Sequence, residues 1–345
     1  MMAEAHYRKE RIDRGIKARC EDVFMLLSYE EILYMVVPRI LPFLVVLILP
    51  LALIGSGQIY WQKVMVISCV IALLALSWDF LASTVAFISL GQAFFFGVGS
   101  YMAGGLDRYF GLSPLFSIPI ATLGGAALCT LLLSPVLRLR GLYFSLITLA
   151  YPLMFIRIIE ATEILGGTEG LSGLSWLPDV WAESYLSVTA LFVCLFGFRR
   201  LANSDYGLVL RGIGENDRVV MSRGANMYWY KAQALFIASG VGAFAGAFMT
   251  HFVGFVGMPA FALEYSILPL ACVFLGGSGT FAGAVLGAFI LTPLSEVLRM
   301  FGTLRIAIYS LIVIASIVGL PEGIFHYLQR KYHQFERMVG VEVKE

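Results

Sequence analysis

Histidine, cysteine and carboxylate residues are too scattered along the chain to form a recognisable catalytic or metal site. The four histidines, His6, His251, His326 and His333, lie far apart, and three of them fall in the predicted terminal tails. An enzyme would need His, Asp or Glu at the spacing of an acid–base pair or of metal ligands. The chain also lacks the G-x-x-x-x-G-K-[ST] loop that holds ATP phosphates. We therefore expect no catalytic residue, no metal site and no cofactor bound by this chain.

Ionisable side chains inside apolar runs are the other candidates for chemistry, because each is costly in a membrane. These residues are Asp79, Arg157, Glu160, His251, Glu264, Glu296 and Arg299. A gradient-driven carrier would place a carboxylate near the bilayer midplane. Most of the seven lie near the ends of their runs, where long side chains reach the headgroups. A gradient-driven carrier therefore stays open as an alternative, with Asp79 and Glu264 as its candidates.

The composition determines the fold class that must position these residues. Of the 345 residues, 59% are hydrophobic and 14% are charged, whereas soluble domains average about 25% charged residues. The apolar runs are continuous and close to the roughly 20 residues that span a bilayer as a helix. A transmembrane barrel would instead alternate polar and apolar residues. We predict an all-α integral membrane protein.

The apolar runs predict about ten transmembrane helices. They lie near 38–56, 64–82, 85–105, 115–137, 142–160, 185–200, 231–253, 263–279, 281–300 and 304–320. Glycines interrupt the third run, and Glu264 and Pro269 interrupt the eighth. Membranes allow broken helices where the backbone lines protein or water. These two spans are therefore predicted to be short, discontinuous or re-entrant.

The predicted organisation is a tail at 1–37, a transmembrane domain at 38–320 and a second tail at 321–345. An outer loop at 160–184 and an inner loop at 201–230 interrupt the transmembrane domain. The run Val23 to Met35 fits either an amphipathic interfacial helix or a partly disordered tail.

The basic residues orient this topology. With a cytoplasmic N-terminus, nineteen of the 24 Lys and Arg residues fall on the inner side, as the positive-inside rule requires. We predict a multi-pass protein of a bacterial-type inner membrane with both termini in the cytoplasm.

Glycines four residues apart predict close helix packing, because backbones approach where no Cβ intervenes. They are Gly242, Gly246, Gly279, Gly283 and Gly287.

Six segments carry motifs in a consistent order. They are 89–101 (SLGQAFFFGVGSY), 140–150 (RGLYFSLITLA), 166–171 (GGTEGL), 207–217 (GLVLRGIGEND), 274–288 (FLGGSGTFAGAVLGA) and 320–323 (LPEG). Together they resemble the branched-chain (hydrophobic) amino acid permeases of the LivM type, which are subunits of ATP-binding-cassette (ABC) transporters. Gln92 replaces the family's usual His, and Thr168-Glu169 replaces Pro-Asn. Urea, short amides and aromatic acids therefore remain alternative substrates.

The resemblance implies a permease that forms half of the translocation pathway of an importer for branched-chain or hydrophobic amino acids. It implies a second homologous permease as partner, with a homodimer as the alternative. It also implies two cytoplasmic ATPase subunits, which use ATP and Mg, and a periplasmic binding protein that delivers the substrate. No nucleic-acid partner is expected.

The same resemblance assigns roles to three sets of residues. The ATPase coupling segment comprises Glu215, Asn216, Asp217, Arg218, Val219, Val220 and Gly224. Its charged start, apolar middle and final glycine suit a short docking helix. An ordinary solvated loop is the alternative. The translocation path would include Gln92, Phe95, Tyr143 and Thr148, with core packing as the alternative. The outer mouth would include Arg157, Glu160 and Glu163, with structural ion pairing as the alternative.

Overall fold

The computed structural model describes residues 7–11, 48, 50–53, 55, 57–139, 141–302, 304–319, 322–333 and 336–340. Between residues 57 and 333, the described chain forms eleven α-helices. They are α1 (Ile59–Val85), α2 (Gln92–Phe110), α3 (Pro114–Leu133), α4 (Leu142–Thr162), α5 (Val180–Ala202), α6 (Asp205–Ser222), α7 (Met227–Val253), α8 (Glu264–Gly276), α9 (Ala282–Val297), α10 (Leu304–Gly319) and α11 (Ile324–His333).

Short elements complete the chain. Single 3-10 turns lie at Ser134–Arg138, Ile164–Gly166, Met258–Phe261 and Leu298–Phe301. Strand β1 (Tyr7–Arg11) pairs antiparallel with β4 (Glu336–Gly340), and β2 (Leu171–Ser172) pairs antiparallel with β3 (Phe255–Val256).

Helix α1 lies at the centre of the bundle. In its most apolar stretch 94% of the residues are buried, whereas the figure is 28% for both α4 and α5. Helix α1 packs against α7, α5, α8 and α9, and α2 and α3 pack on the other side of α7. The exposed apolar faces of α4 and α5 must therefore meet lipid or another protein chain.

Local sequence explains where several helices begin and end. Pro114 occupies the first turn of α3, where a missing N–H costs nothing. The Asn226 side chain caps α7 by accepting hydrogen bonds from the amides of Tyr228 and Trp229. Helix α7 ends at Gly254, whose φ of +69° is the left-handed conformation that glycine adopts without strain.

The predicted all-α membrane fold agrees with the structure. Seven stretches of the described chain are long and apolar enough to cross a membrane: Ile59–Val85, Pro114–Arg138, Tyr143–Thr162, Val180–Ala202, Met227–Val253, Met258–Gly276 and Ala282–Phe301. Nine of the ten predicted spans overlie helices α1 to α5 and α7 to α10. The remaining predicted span, 38–56, falls largely outside the described residues, as does the tail at 1–37 apart from β1.

The two spans predicted to be broken are the ones with irregular geometry. The span at 85–105 begins with a non-helical linker, residues 86–91, before α2 starts. The span at 263–279 contains α8, which has 13 residues and is therefore about 20 Å long. That is shorter than the ~30 Å hydrocarbon core, so α8 is a short helix that follows a 3-10 turn.

Candidate functional site at the α6 end

Loops of the bundle gather at its two ends. We call the end formed by residues 84–91, 203–226 and 277–281 the α6 end. The opposite end, formed by the loop 163–179 and by β2 and β3, is the β end.

Helix α6 is amphipathic and kinked. At Asn216 the backbone leaves helical geometry (φ −154°, ψ 99°), so a separate final turn follows the kink. On that turn Val219 is 52% exposed and Met221 is 43% exposed. Glu215 is also exposed, and the Arg218 side chain lies outside what the structure describes. The predicted coupling segment therefore presents apolar groups outward.

Two contacts near the kink hold α6 against the bundle, in addition to the buried side chains of Leu210 and Ile213. A Cβ on Gly214 would lie 2.9 Å from the Thr84 carbonyl oxygen, so the helix rests directly on the end of α1. The Asp217 carboxylate pairs with Lys231 Nζ at 2.9 Å, and both side chains are almost fully buried. A buried pair is weak evidence for net stability, but loss of one partner leaves a costly unpaired charge. Asp217 therefore anchors the segment and does not face outward.

The ion pair also touches the linker 86–91. Lys231 Nζ lies 5.1 Å from the centre of the Phe87 ring, within cation–π range. The Phe87 ring stacks on Phe144 of α4, with centroids 4.3 Å apart. One continuous set of contacts therefore joins α6, α7, the linker and α4.

Hydrogen bonds hold the linker against α1 and α4. Trp78 Nε1 donates to the Ser89 carbonyl at 2.7 Å. Ser145 Oγ donates to the Ile88 carbonyl, and the Leu90 amide donates to Thr148 Oγ1 at 3.1 Å. These bonds satisfy backbone groups that a non-helical segment would otherwise bury unpaired.

The four predicted path residues do not share one surface. Gln92, Phe95 and Thr148 are buried, whereas Tyr143 is 72% exposed on α4. Gln92 Oε1 accepts a hydrogen bond from Ser77 Oγ at 3.3 Å. Its Nε2 is buried and has no partner among the described residues. Thr148 holds the linker, so its observed contacts are structural, whereas the buried Nε2 of Gln92 is free to bind a polar group.

Asp79 fixes a second turn at the α6 end. Its carboxylate is completely buried and accepts the amides of Gly279 at 2.7 Å and Phe281 at 3.1 Å. These residues form the turn between α8 and α9. Two backbone amides therefore donate to the Asp79 carboxylate. These hydrogen bonds explain how an ionisable group is accommodated inside an apolar helix.

The predicted packing glycines behave in two ways. A Cβ on Gly246 would lie 2.0 Å from the Phe96 carbonyl, and one on Gly287 would lie 2.0 Å from the Cys272 carbonyl. Gly242 contacts Phe95, and Gly283 contacts the backbone at Gly276 in the same manner. Gly279 differs from the prediction, because it lies in a turn with φ +82° and not in a helix.

At the β end, the predicted outer-mouth residues are exposed. Arg157 and Glu160 form an ion pair of 2.8 Å on one turn of α4. Glu163 ends that helix in a left-handed conformation (φ 52°). Exposed pairs of this kind contribute less than about 1 kcal/mol.

The loop at the β end is anchored by a polar cluster. Asp107 accepts the Ser175 amide at 2.6 Å and the Ser175 hydroxyl at 2.9 Å. The buried His251 ring bonds the Ser175 carbonyl through Nδ1 at 2.8 Å and the Ser117 hydroxyl through Nε2. Two helices, α2 and α7, therefore hold one loop residue, and Ser117 of α3 supports the His251 ring.

Sequence reasoning missed Lys231, Phe87 and Ser145 as parts of the α6 end. Lys231 is the one signal available in advance, because a lysine just inside an apolar helix needs a partner. Phe87 and Ser145 look like ordinary residues of apolar runs.

Comparison with known proteins identifies the family. The model of the permease component of branched-chain amino acid transport systems matches residues 60–320. The chain belongs to this permease family. The match includes the linker, α6 and the α8–α9 turn.

Several relatives in this family are similar to the chain. The high-affinity branched-chain amino acid transport system permease protein LivM of Escherichia coli (strain K12) is 29% identical over 266 residues, which cover 68% of this chain and 63% of LivM. A probable LivM of Methanocaldococcus jannaschii is 25% identical over 215 residues (56% and 62%). The autoinducer 2 import system permease protein LsrC of Enterobacter sp. (strain 638) is 30% identical over 197 residues (55% and 56%).

The chain thus spans about 63% of the length of the LivM relatives that it matches. No solved structure matches it.

Proposed function

We propose that this permease subunit forms half of the inner-membrane translocation pathway of an ABC importer. Its substrates would be branched-chain or hydrophobic amino acids that a periplasmic binding protein delivers. The observation that carries the proposal is the α6 end, where an anchored helix presents exposed apolar groups and is joined to the linker and α4. A helix that only covered the bundle would bury those groups.

In this proposal the final turn of α6 docks on an ATPase subunit. Val219 and Met221 supply apolar contact area, while Asp217 and Gly214 hold the turn on α7 and α1. A docking helix can pass a movement on to the bundle only if it is firmly attached to it, and the buried ion pair provides such an attachment. Movement of α6 would then reach α4 through the Phe87–Phe144 stack.

The proposed topology has about ten transmembrane helices, including 38–56, with both termini and the α6 end in the cytoplasm. Six Lys and Arg residues between 199 and 231 support this orientation, since basic residues concentrate on the cytoplasmic side.

The proposed partners are a second, homologous permease, two cytoplasmic ATPases and the binding protein. A homodimer is the alternative for the permease pair. The exposed apolar faces of α4 and α5 offer surfaces on which a permease partner would pack, since such faces meet lipid or another protein chain. ATP and Mg would be used by the ATPase subunits. The outer-mouth residues Arg157, Glu160 and Glu163 would meet the binding protein.

Placing charges on the docking turn tests the proposal. We expect Val219→Glu combined with Met221→Glu to abolish co-purification of ATPase subunits and ATP-dependent leucine uptake, because two carboxylates cannot be desolvated in an apolar interface. Leu208→Glu is the matched control, since Leu208 is 70% exposed on the first half of the same helix. Normal uptake by the double variant would exclude docking through this turn.

The charged residues beside the kink at Asn216 offer a second test. Glu215→Lys combined with Arg218→Glu should uncouple uptake from ATP hydrolysis while the chain still inserts in the membrane. Uptake at the level of the unmodified protein would contradict this role. For the substrate, competition of labelled leucine uptake by urea, acetamide and benzoate separates the amino acid from the alternative classes.

A further inference from the structure

An open groove runs along α7 at the α6 end. Its volume is about 580 Å³, within the range of small-molecule sites. We call it the α7 groove and define it by Thr130, Leu201, Tyr206, Trp229, Ala232 and Phe236. These residues belong to α3, the α5–α6 corner and α7.

The interior of the α7 groove is mostly apolar, with the Gln233 side chain and the buried Tyr206 hydroxyl as its polar exceptions. Thr130 Oγ1 donates to the Ala126 carbonyl at 2.7 Å, so its hydroxyl is satisfied within α3. Burial raises the pKa of the Tyr206 phenol to about 12, so this side chain is neutral. No charged side chain lines the groove. A hydrocarbon chain fits this chemistry, and a charged solute does not.

Basic residues flank the residues that line the groove. Arg199 and Arg200 lie in the last turn of α5, directly before the lining residue Leu201, and both are exposed. The Arg138 guanidinium lies 6.0 Å from the centre of the Tyr228 ring, next to Trp229. None of these three arginines pairs with a carboxylate among the described residues, and exposed Asp205 is the acidic residue next to Tyr206. Three arginines and one carboxylate leave a net positive rim that complements an anion.

The aromatic residues place this rim at a membrane surface. Trp229 is 63% exposed and Tyr228 is 45% exposed at the first turn of a membrane-spanning helix. Trp and Tyr concentrate where hydrocarbon meets headgroups. The groove opens at this level of the membrane, and arginines without a carboxylate partner lie next to it. This arrangement matches a molecule with an acyl chain and a negative headgroup.

We propose that the α7 groove binds an anionic phospholipid, with one acyl chain along α7 and its phosphate at Arg199 and Arg200. Basic pockets between helices on the cytoplasmic side select such lipids. The inference needs the membrane position of α7 and does not depend on transport activity or on ATPase docking.

The test uses the fluorescence of Trp229 in the full-length chain reconstituted in nanodiscs. Brominated phosphatidylglycerol and brominated phosphatidylcholine with the same acyl chains are the quenchers, and the signal of Trp229→Phe is subtracted. One arginine favours a nearby anionic headgroup by about fivefold. We therefore expect phosphatidylglycerol to quench Trp229 at a mole fraction at least about fivefold lower than phosphatidylcholine.

Two variants separate the rim from the groove. Arg199→Gln combined with Arg200→Gln should remove the preference between the two lipids, whereas Arg108→Gln, an exposed arginine at the β end, should leave it unchanged. Ala232→Phe should reduce quenching by both lipids, because it fills the groove.

Three results would overturn the proposal. Equal quenching by the two lipids would remove the headgroup site. If Arg108→Gln also lost the preference for phosphatidylglycerol, the overall charge of the protein would be its cause. Absence of quenching by either lipid would mean that a protein segment covers the groove.

Discussion

At the α6 end a helix is fixed by one buried ion pair, Asp217–Lys231, and a glycine contact. At the β end Ser175 of the loop is bound by Asp107 of α2 and His251 of α7, and the His251 ring also contacts Ser117 of α3. At the α6 end, the lysine of the ion pair also touches the linker, and the buried side chains of Leu210 and Ile213 add apolar contact. At the β end, the contacts are hydrogen bonds to one loop residue. Because Lys231 touches both α6 and the linker, we expect these two segments to move together, whereas the β-end loop is held to α2 and α7.

The largest effect should come from breaking the ion pair. Lys231→Met removes the cation beside the buried Asp217 carboxylate, so we expect the free energy of unfolding to fall by about 3–5 kcal/mol. Thermal unfolding in mild detergent, followed by tryptophan fluorescence, measures the loss. Asp217→Leu added to Lys231→Met should restore much of it.

The exposed pair at the β end is the control for this prediction. Arg157→Met removes the partner of Glu160, and the expected loss is below about 1 kcal/mol. If both single variants lost the same stability, the ion pair would not be the main anchor of α6.

A smaller effect should follow from breaking the β-end anchor. Asp107→Ala removes the acceptor of two hydrogen bonds from Ser175, and bonds to a charged group contribute about 1.5–3 kcal/mol. Hydrogen exchange should accelerate at the amides of Leu171 to Ser175 and stay unchanged in α6. Asp107→Asn, which keeps an acceptor, should have a weaker effect. Acceleration in α6 of equal size would show that the two ends are not independent.

The smallest effect concerns the stack between the linker and α4. A double-mutant cycle with Phe87→Leu and Phe144→Leu should give a coupling energy of about 0.5–1.5 kcal/mol. The matched β-end cycle uses Trp181 and Tyr185, whose rings are 6.1 Å apart. It should give less, because Trp181 is 38% exposed. A larger coupling at the β end would reverse the comparison.

The fold was predictable because apolar run length reports directly on membrane spans. Even the irregular spans carried a signal, since Gly91 precedes α2 and Glu264 and Pro269 lie in α8, although Gly97 and Gly99 fall inside the continuous helix α2. Spacing alone failed at Gly279. Four-residue separation is the same in a helix and across a turn, and only the positive φ distinguishes them.

The candidate site was only partly predictable. The motifs drew attention to 207–217 and to the linker region, but not to the Asp217–Lys231 pair, whose members are 14 residues apart. Such pairs depend on how two helices meet, which helical periodicity does not encode. Tyr143 and Thr148 illustrate the same limit, because residues in one motif face opposite sides of α4.

The Asp79 clamp has a consequence for biosynthesis. Asp79 and the Gly279 amide that it accepts are separated by 200 residues, which a ribosome adds in about 10–40 s at 5–20 residues per second. During that interval α1 holds a carboxylate in the membrane without its final partners, and the strong hydrophobicity of the remaining helix must compensate. The turn between α8 and α9 therefore completes the contact with Asp79 only after α1 to α8 have been synthesised. A nascent chain that stops before this turn would leave the Asp79 carboxylate of α1 without the two backbone amides that bind it in the finished protein.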